Sequence, residues 1–273
     1  MRPRATESRA ADDPLRLDPE SAQWWLGLVR ATVGRYFRPE VIGAAQLPAG
    51  RGLIVGCHSG VVPYDAACTL TAVHDATGRF ARAVGDRFFA SLPGVEAFLR
   101  RQGAVVGTPQ VLTTLLRAGH LVLLFPGGAK DMERSYLTQR YRVLAHRGFA
   151  PGHGGYIKVA LRTRSPIVPL AVVGAEEAHV MLGNLPWLAR GIGVPLFPVV
   201  LFPLPLPAKL YIRFGTPIQL PGTPADAQNQ QLVDQLNRQV RRQLQQLLDD
   251  TVRRRDGIIL SRYRSGASAR GPA

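Results

Sequence analysis

Three apolar runs constrain the fold most: GLIVG at 52–56, LVLLF at 121–125 and IVPLAVV at 167–173. None contains a charge, and each is too short for a buried helix. Bounded by glycine, proline or polar residues, each reads as a strand buried on both faces. Helical patterns lie between them, at 66–76, 95–101, 109–118 and 155–164, with Pro109 tolerated in a first turn. Residues 81–84 and AVV at 104–106 are further strand candidates, and KLYIRF at 209–214 alternates as a strand does. This βαβα rhythm predicts an α/β fold. It is a single domain with a largely parallel central sheet flanked by helices. A length of 273 residues suits one large domain or two small ones, with a substantial core.

An amphipathic helix is expected to precede the sheet, over 21–38. Trp25, Leu28, Val29, Thr32, Val33 and Tyr36 share one face of it, with Arg30, Arg35 and Arg38 nearby. Such a helix can pack on the core, rest on a membrane interface, or do both. The clearest helix follows Thr223, with Thr223 as cap and Pro224 opening it. Its apolar stripe is Leu232, Leu236, Val240, Leu244, Leu247, Leu248 and Val252. The expected organisation is a disordered start at 1–20, a domain over 21–256 and a flexible basic tail at 257–273.

The polar start lacks the apolar core of a secretory signal, which points to the cytoplasm. The uncharged stretch between Arg190 and Lys209 holds five prolines, so it is not expected to span a membrane. It reads either as buried loop and short strands or as an apolar surface on lipid. The formal charge of +15 favours acidic partners: anionic lipid, nucleic acid or phosphate-bearing ligands. Only three of the 34 basic residues are lysine. Seven basic residues lie in 134–164 with no acidic one between them, as a solvated face or a phosphate site.

Two segments can carry chemistry. In GCHSGVVPYD, His58 follows a strand and Asp65 opens a helix. An imidazole there can take a proton near neutral pH, and a carboxylate on its other nitrogen would fix the tautomer. In LVLLFPGGAKD, a strand runs out through Phe125 into Pro126, Gly127 and Gly128, followed by Lys130 and Asp131. Glycines let a ligand approach the backbone, whose amides can face an anion, and Lys130 and Arg134 add positive charge. There is no G-x-x-x-x-G-K-[ST], no G-x-S-x-G and no H-E-x-x-H. The other histidines, at 74, 120, 146, 153 and 179, make no metal pattern. Two cysteines exclude a four-cysteine zinc site, and Cys57 and Cys68 read as buried thiols.

Taken in order, these segments resemble the glycerolipid acyltransferase family, which includes the lysophosphatidate acyltransferases. The set is YFRPEVIGAAQLP, GLIVGCHSG with Asp65, GDRFF, LVLLFPGGAKD, SPIVPLAVVGAEE and KLYIRFGTPI, across 36–218. HSG, GDRFF and FPGG look most like the branch of mono- and diacylglycerol acyltransferases, bacterial members included. The resemblance implies acyl transfer from acyl-CoA or acyl carrier protein to a lipid hydroxyl, with no metal and no cofactor beyond that co-substrate. It implies His58 as general base, oriented by Asp65. It places the acceptor at Phe125, Pro126, Gly127 and Gly128, beside Lys130, Asp131 and Arg134, with Pro169 shaping the pocket.

The chain departs from the family pattern at two places. Six residues separate His58 from Asp65, where the family usually has four. PGGAKD replaces an E-G-T-R type motif, and AVVGTPQ after Gly103 has no arginine. This second departure favours a neutral glyceride or another lipid alcohol over a phosphorylated acceptor, while the first bears on Asp65 as the orienting residue. The implied partners are a lipid acceptor, an acyl donor and the anionic inner face of a membrane, with no specific nucleic acid. Two other readings compete. One is a thioesterase or lipid hydrolase in which His58 activates water. The other is a non-enzymatic basic protein that binds lipid.

Overall fold

The computed structural model describes residues 15, 17–59, 62–85, 95–133, 136–194, 197–255 and 257–258. A seven-stranded sheet forms its centre. The strands are β1 (Glu40–Ile42), β2 (Gly52–Gly56), β3 (Arg82–Gly85), β4 (Val105–Val106), β5 (Leu121–Leu124), β6 (Ile167–Val173) and β9 (Tyr211–Phe214). Their order is β1-β9-β6-β2-β5-β3-β4. Every neighbouring pair is parallel except β6 and β9. The largely parallel α/β sheet expected from the three apolar runs is therefore present. β2, the whole of β6 and most of β5 are buried, as strands covered on both faces must be.

Helices cover both faces. The larger core lies under α4 (Pro109–Arg117), α5 (Gly155–Thr163) and α7 (Gln230–Arg254), through residues such as Leu116, Ile157, Val240 and Leu244. The opposite core holds Phe37, Cys68, Leu123, Leu170 and Phe214, beneath α2 (Tyr64–Thr77). A short helix α3 (Val95–Arg101) and helix α6 (Pro186–Ile192) complete the set used below. Among the described residues, no helix is long and apolar enough to cross a membrane.

Four details differ from the sequence expectation. The last helix starts at Gln230, capped by Asn229; Thr223 instead forms a capping box with Asp226 on a separate 3-10 turn, Pro224–Gln228. β9 runs antiparallel to β6 and is shorter than the KLYIRF run. β1, three residues long at the sheet edge, was not foreseen, nor was the hairpin of β7 (Met181–Asn184) and β8 (Pro198–Val200).

The N-terminal helix differs most. It begins as α1 (Pro19–Val29), with Asp18 as cap, and passes through a π-helical turn at Arg30–Gly34. It ends in a last turn at Arg35–Phe37. The buried positions are Ala22, Leu26, Val29 and Phe37, which share only Val29 with the expected stripe. Trp25 is half-buried edge-on against Phe98, while Trp24, Leu28 and Tyr36 face solvent.

Candidate active site

β2 lies between β6 and β5, so the loops leaving these three strands meet at one edge of the sheet. Such an edge is where α/β folds place their chemistry. His58 is in the loop after β2. Its Nδ1 lies 3.0 Å from Asp65 Oδ2, at the start of α2. Asp65 is 0% exposed, and its carboxylate also accepts from the Ser59 N–H at 2.8 Å and from the N–H of Ala66. With the carboxylate only accepting, Nδ1 carries the proton and Nε2 the lone pair. The ring is stacked on Phe125, with centroids 4.0 Å apart, and stays partly open to solvent. Ser59 Oγ donates to the Val172 carbonyl at 3.0 Å, tying this loop to the end of β6.

Asp131 grips the same histidine from the other side. It is 1% exposed, and its Oδ2 accepts the His58 backbone N–H at 3.2 Å. Its Oδ1 lies 2.9 Å from Nε2 of His146. Gly127 makes room for this carboxylate: a Cβ at that position would lie 2.0 Å from Asp131 Oδ1. Gly127→Ala is therefore expected to displace Asp131, costing about 1–3 kcal/mol of stability. It should also cost at least about tenfold in turnover through a shifted His58. Chemical denaturation and a rate assay on the same preparation check both.

The turn after β5 partly matches its expected role. Phe125 and Gly127 are buried beside His58, and Pro126 and Gly128 are half-buried. The Gly128 N–H donates to the Phe125 carbonyl at 3.0 Å, so it holds the turn and is not offered to a ligand. Lys130 is exposed and 4.0 Å from Glu133. Arg134 and most of the GDRFF segment lie outside the described residues. Pro169 is level with Val55 in the sheet and packs on Gly215. In the basic stretch, Arg140, Arg142, Arg147, Arg162 and Arg164 are exposed, which makes it mainly a solvated face.

Sequence reasoning set His146 aside, because its partner is brought near only by the fold. His179 was set aside with it, and Tyr64 was given no role; their rings stack 5.8 Å apart just before Asp65. Burial holds the His179 ring below its ordinary pKa. Cys68 is pushed up to about 12 by burial and by the Asp65 carboxylate, which agrees with an inert buried thiol. Among the described residues, no group of three or more His, Cys, Asp or Glu is arranged to hold a metal ion.

A protein-family model described as Acyltransferase matches residues 38–173, a stretch that holds His58, Asp65, Asp131 and His146. The chain belongs to this acyltransferase family. An uncharacterized protein of Mycobacterium leprae is 39% identical over 78% of this chain and 60% of its own length. A Homo sapiens protein named DGAT1/2-independent enzyme synthesizing storage lipids is 30% identical over 66% of this chain and 53% of its own length. This acyltransferase-family chain thus spans between half and two thirds of the curated relatives it matches. The 1-acyl-sn-glycerophosphate acyltransferase PlsC from Thermotoga maritima shares the fold. It has a TM-score of 0.52 and 17% identity, over 88% of this chain and 86% of that one.

Proposed function

We propose that the protein is an O-acyltransferase that moves a fatty acyl group from a thioester donor, acyl-CoA or acyl carrier protein, to a lipid hydroxyl. The observation that carries this reading is the His58–Asp65 pair, in which a fully buried carboxylate fixes the imidazole tautomer with Nε2 as the basic nitrogen. A lipid hydroxyl is too weak an acid to ionise freely at neutral pH. His58 Nε2 takes its proton as the oxygen attacks the thioester carbonyl. Asp65 stabilises the imidazolium that forms, and the proton then passes to the departing thiolate. No covalent enzyme intermediate is needed. The buried Gly127 N–H donates to no described residue, so it is the candidate donor to the tetrahedral oxyanion.

The acceptor in this reading is a neutral glyceride or other lipid alcohol rather than a phosphorylated one. The exposed Lys130 faces Glu133, and PGGAKD supplies no arginine to the turn. The purified protein, with a labelled long-chain acyl-CoA, is offered monoacylglycerol, diacylglycerol and lysophosphatidate in vesicles. The expected result is labelled product from a neutral acceptor in preference to lysophosphatidate. Product from lysophosphatidate alone contradicts the acceptor assignment.

Docking on a membrane surface fits the apolar groups left outside. Trp24 (61% exposed), Leu28 and Tyr36 project from the N-terminal helix, and Leu201, Phe202 and Leu204 (76% exposed) from the loop after β8. The Tyr36 hydroxyl donates to the Pro205 carbonyl at 2.5 Å, joining the two sets. Between them an open cleft of about 400 Å³ is lined by Val33, Tyr36, Phe37, Tyr64, Leu204 and Pro205, and Tyr64 directly precedes Asp65. Apolar insertion and the +15 charge act together on an anionic surface. The double variant Trp24→Ser, Leu204→Ser is expected to weaken sedimentation with anionic vesicles at least about tenfold. Unchanged binding would remove this face from the docking surface.

A further inference from the structure

We infer that His146 is a positioning residue for His58, acting through Asp131. The inference rests on the proposed role of His58 as base. Two fully buried carboxylates hold this one histidine: Asp65 by its ring and Asp131 by its main chain. Asp65 also has two backbone amides to accept from. Asp131 accepts from His146, whose Nε2–H donates to Oδ1 at 2.9 Å while Oδ2 takes the His58 N–H. A buried carboxylate needs such donors to stay in place.

His146 is itself fixed to the same site. The Gly148 N–H donates to the Pro126 carbonyl at 3.1 Å, and a Cβ on Gly148 would lie 2.7 Å from Pro126 Cβ. Asn237 of α7 donates to the Gly148 carbonyl at 3.1 Å, and the Phe149 N–H to the His146 carbonyl at 3.0 Å. The loop carrying His146 is thereby clamped onto the turn after β5, and Asp131 links that turn to the loop after β2. One carboxylate joins three loops, and one of its oxygens ends on the backbone of the proposed base. Removing His146 takes from Asp131 the donor that orients its Oδ1, and so shifts the carboxylate that holds the His58 backbone.

A misplacement of about 1 Å in a reacting group can cost on the order of 100-fold in rate. His146→Ala is expected to lower kcat by about 10- to 100-fold while KM for the acyl donor moves by less than about threefold. His146→Gln places an N–H donor near the Nε2 position and is expected to recover most of the loss. His146→Asn, one methylene shorter, is expected to behave like the alanine variant. A readout that does not need turnover is the amide NMR resonance of His58, which should move in His146→Ala and return in His146→Gln. Full kcat in a folded His146→Ala overturns the inference. So does a loss carried by KM alone, a glutamine variant no better than alanine, or an unmoved His58 amide. If His146→Ala does not fold, the glutamine and asparagine pair decides by the same comparison. If the wild-type protein transfers no acyl group, the acyltransfer reading fails, and the His58 amide alone then supports or overturns the placement of His146.

Discussion

His58→Ala is expected to lower acyl transfer by about 10²- to 10⁴-fold while leaving thermal unfolding close to that of the wild type. The ring is partly open to solvent and lies on Phe125, so its removal opens little buried space. The loss should appear in kcat, because the base acts only as the hydroxyl attacks. Asp65→Asn is the informative companion. Its amide can still accept from Nδ1–H through its oxygen, but it carries no charge to stabilise the imidazolium. It is expected to lose activity by a smaller factor and also some stability, since Asp65 accepts the Ser59 and Ala66 amides while fully buried. Steady-state kinetics and a melting curve for both variants check this. A His58→Ala protein with wild-type kcat would end the assignment of His58 as base.

The second large effect is on stability. Glu177 is buried in the turn Ala175–Ala178 after β6, and its Oε1 lies 2.5 Å from Nη1 of Arg255 at the end of α7. The Tyr141 hydroxyl donates to Glu177 and accepts the Gly174 N–H at 2.7 Å. Tyr141 lies fully inside, where burial and then the charges of Glu177 and Glu176 raise its pKa well above the usual phenol value. Gly174 sits at φ +112, and a Cβ there would lie 2.2 Å from the Lys209 carbonyl oxygen. The cluster thus fastens the last helix, the loop before α5 and the exit of β6 together. Glu177→Ala leaves the half-buried Arg255 charge and the buried Tyr141 hydroxyl without their acceptor. Breaking a buried pair in this way costs about 3–5 kcal/mol. For a chain of this size the melting temperature should fall by on the order of 10 °C. A melting curve within about 2 °C of the wild type would show that the pair contributes little.

The central strands were legible because burial on both faces leaves an unbroken apolar run, as in GLIVG and IVPLAVV. The contact between His58 and Asp65 was within reach of the sequence because they are seven positions apart in one strand–loop–helix unit, while their proposed roles came from the family resemblance. Where a contact depends on which strands lie side by side, the sequence carried less. Asp131 was visible as a polar residue after a glycine turn, but its hold on the His58 backbone follows from β2 pairing with β5. His146 gives no pattern at all, since Asp131 is 15 positions away along an irregular path. The face of the N-terminal helix was misread because apolar residues occur on both of its sides: Ala22, Leu26 and Val29 are buried, while Trp24 and Leu28 beside them face solvent. Short strands were among the readings of the stretch between Arg190 and Lys209, where β8 lies, but its partner β7, four residues long, gave no separate signal.

The most direct test of the account is the fate of the acyl group. Purified protein is incubated with vesicles containing a neutral lipid alcohol and an acyl-CoA labelled in the acyl chain, and the labelled products are separated. The account predicts labelled, acylated lipid whose formation requires the acceptor and is lost in His58→Ala. Labelled free fatty acid as the sole product, formed at the same rate with or without acceptor, would contradict it and identify water as the nucleophile that His58 serves.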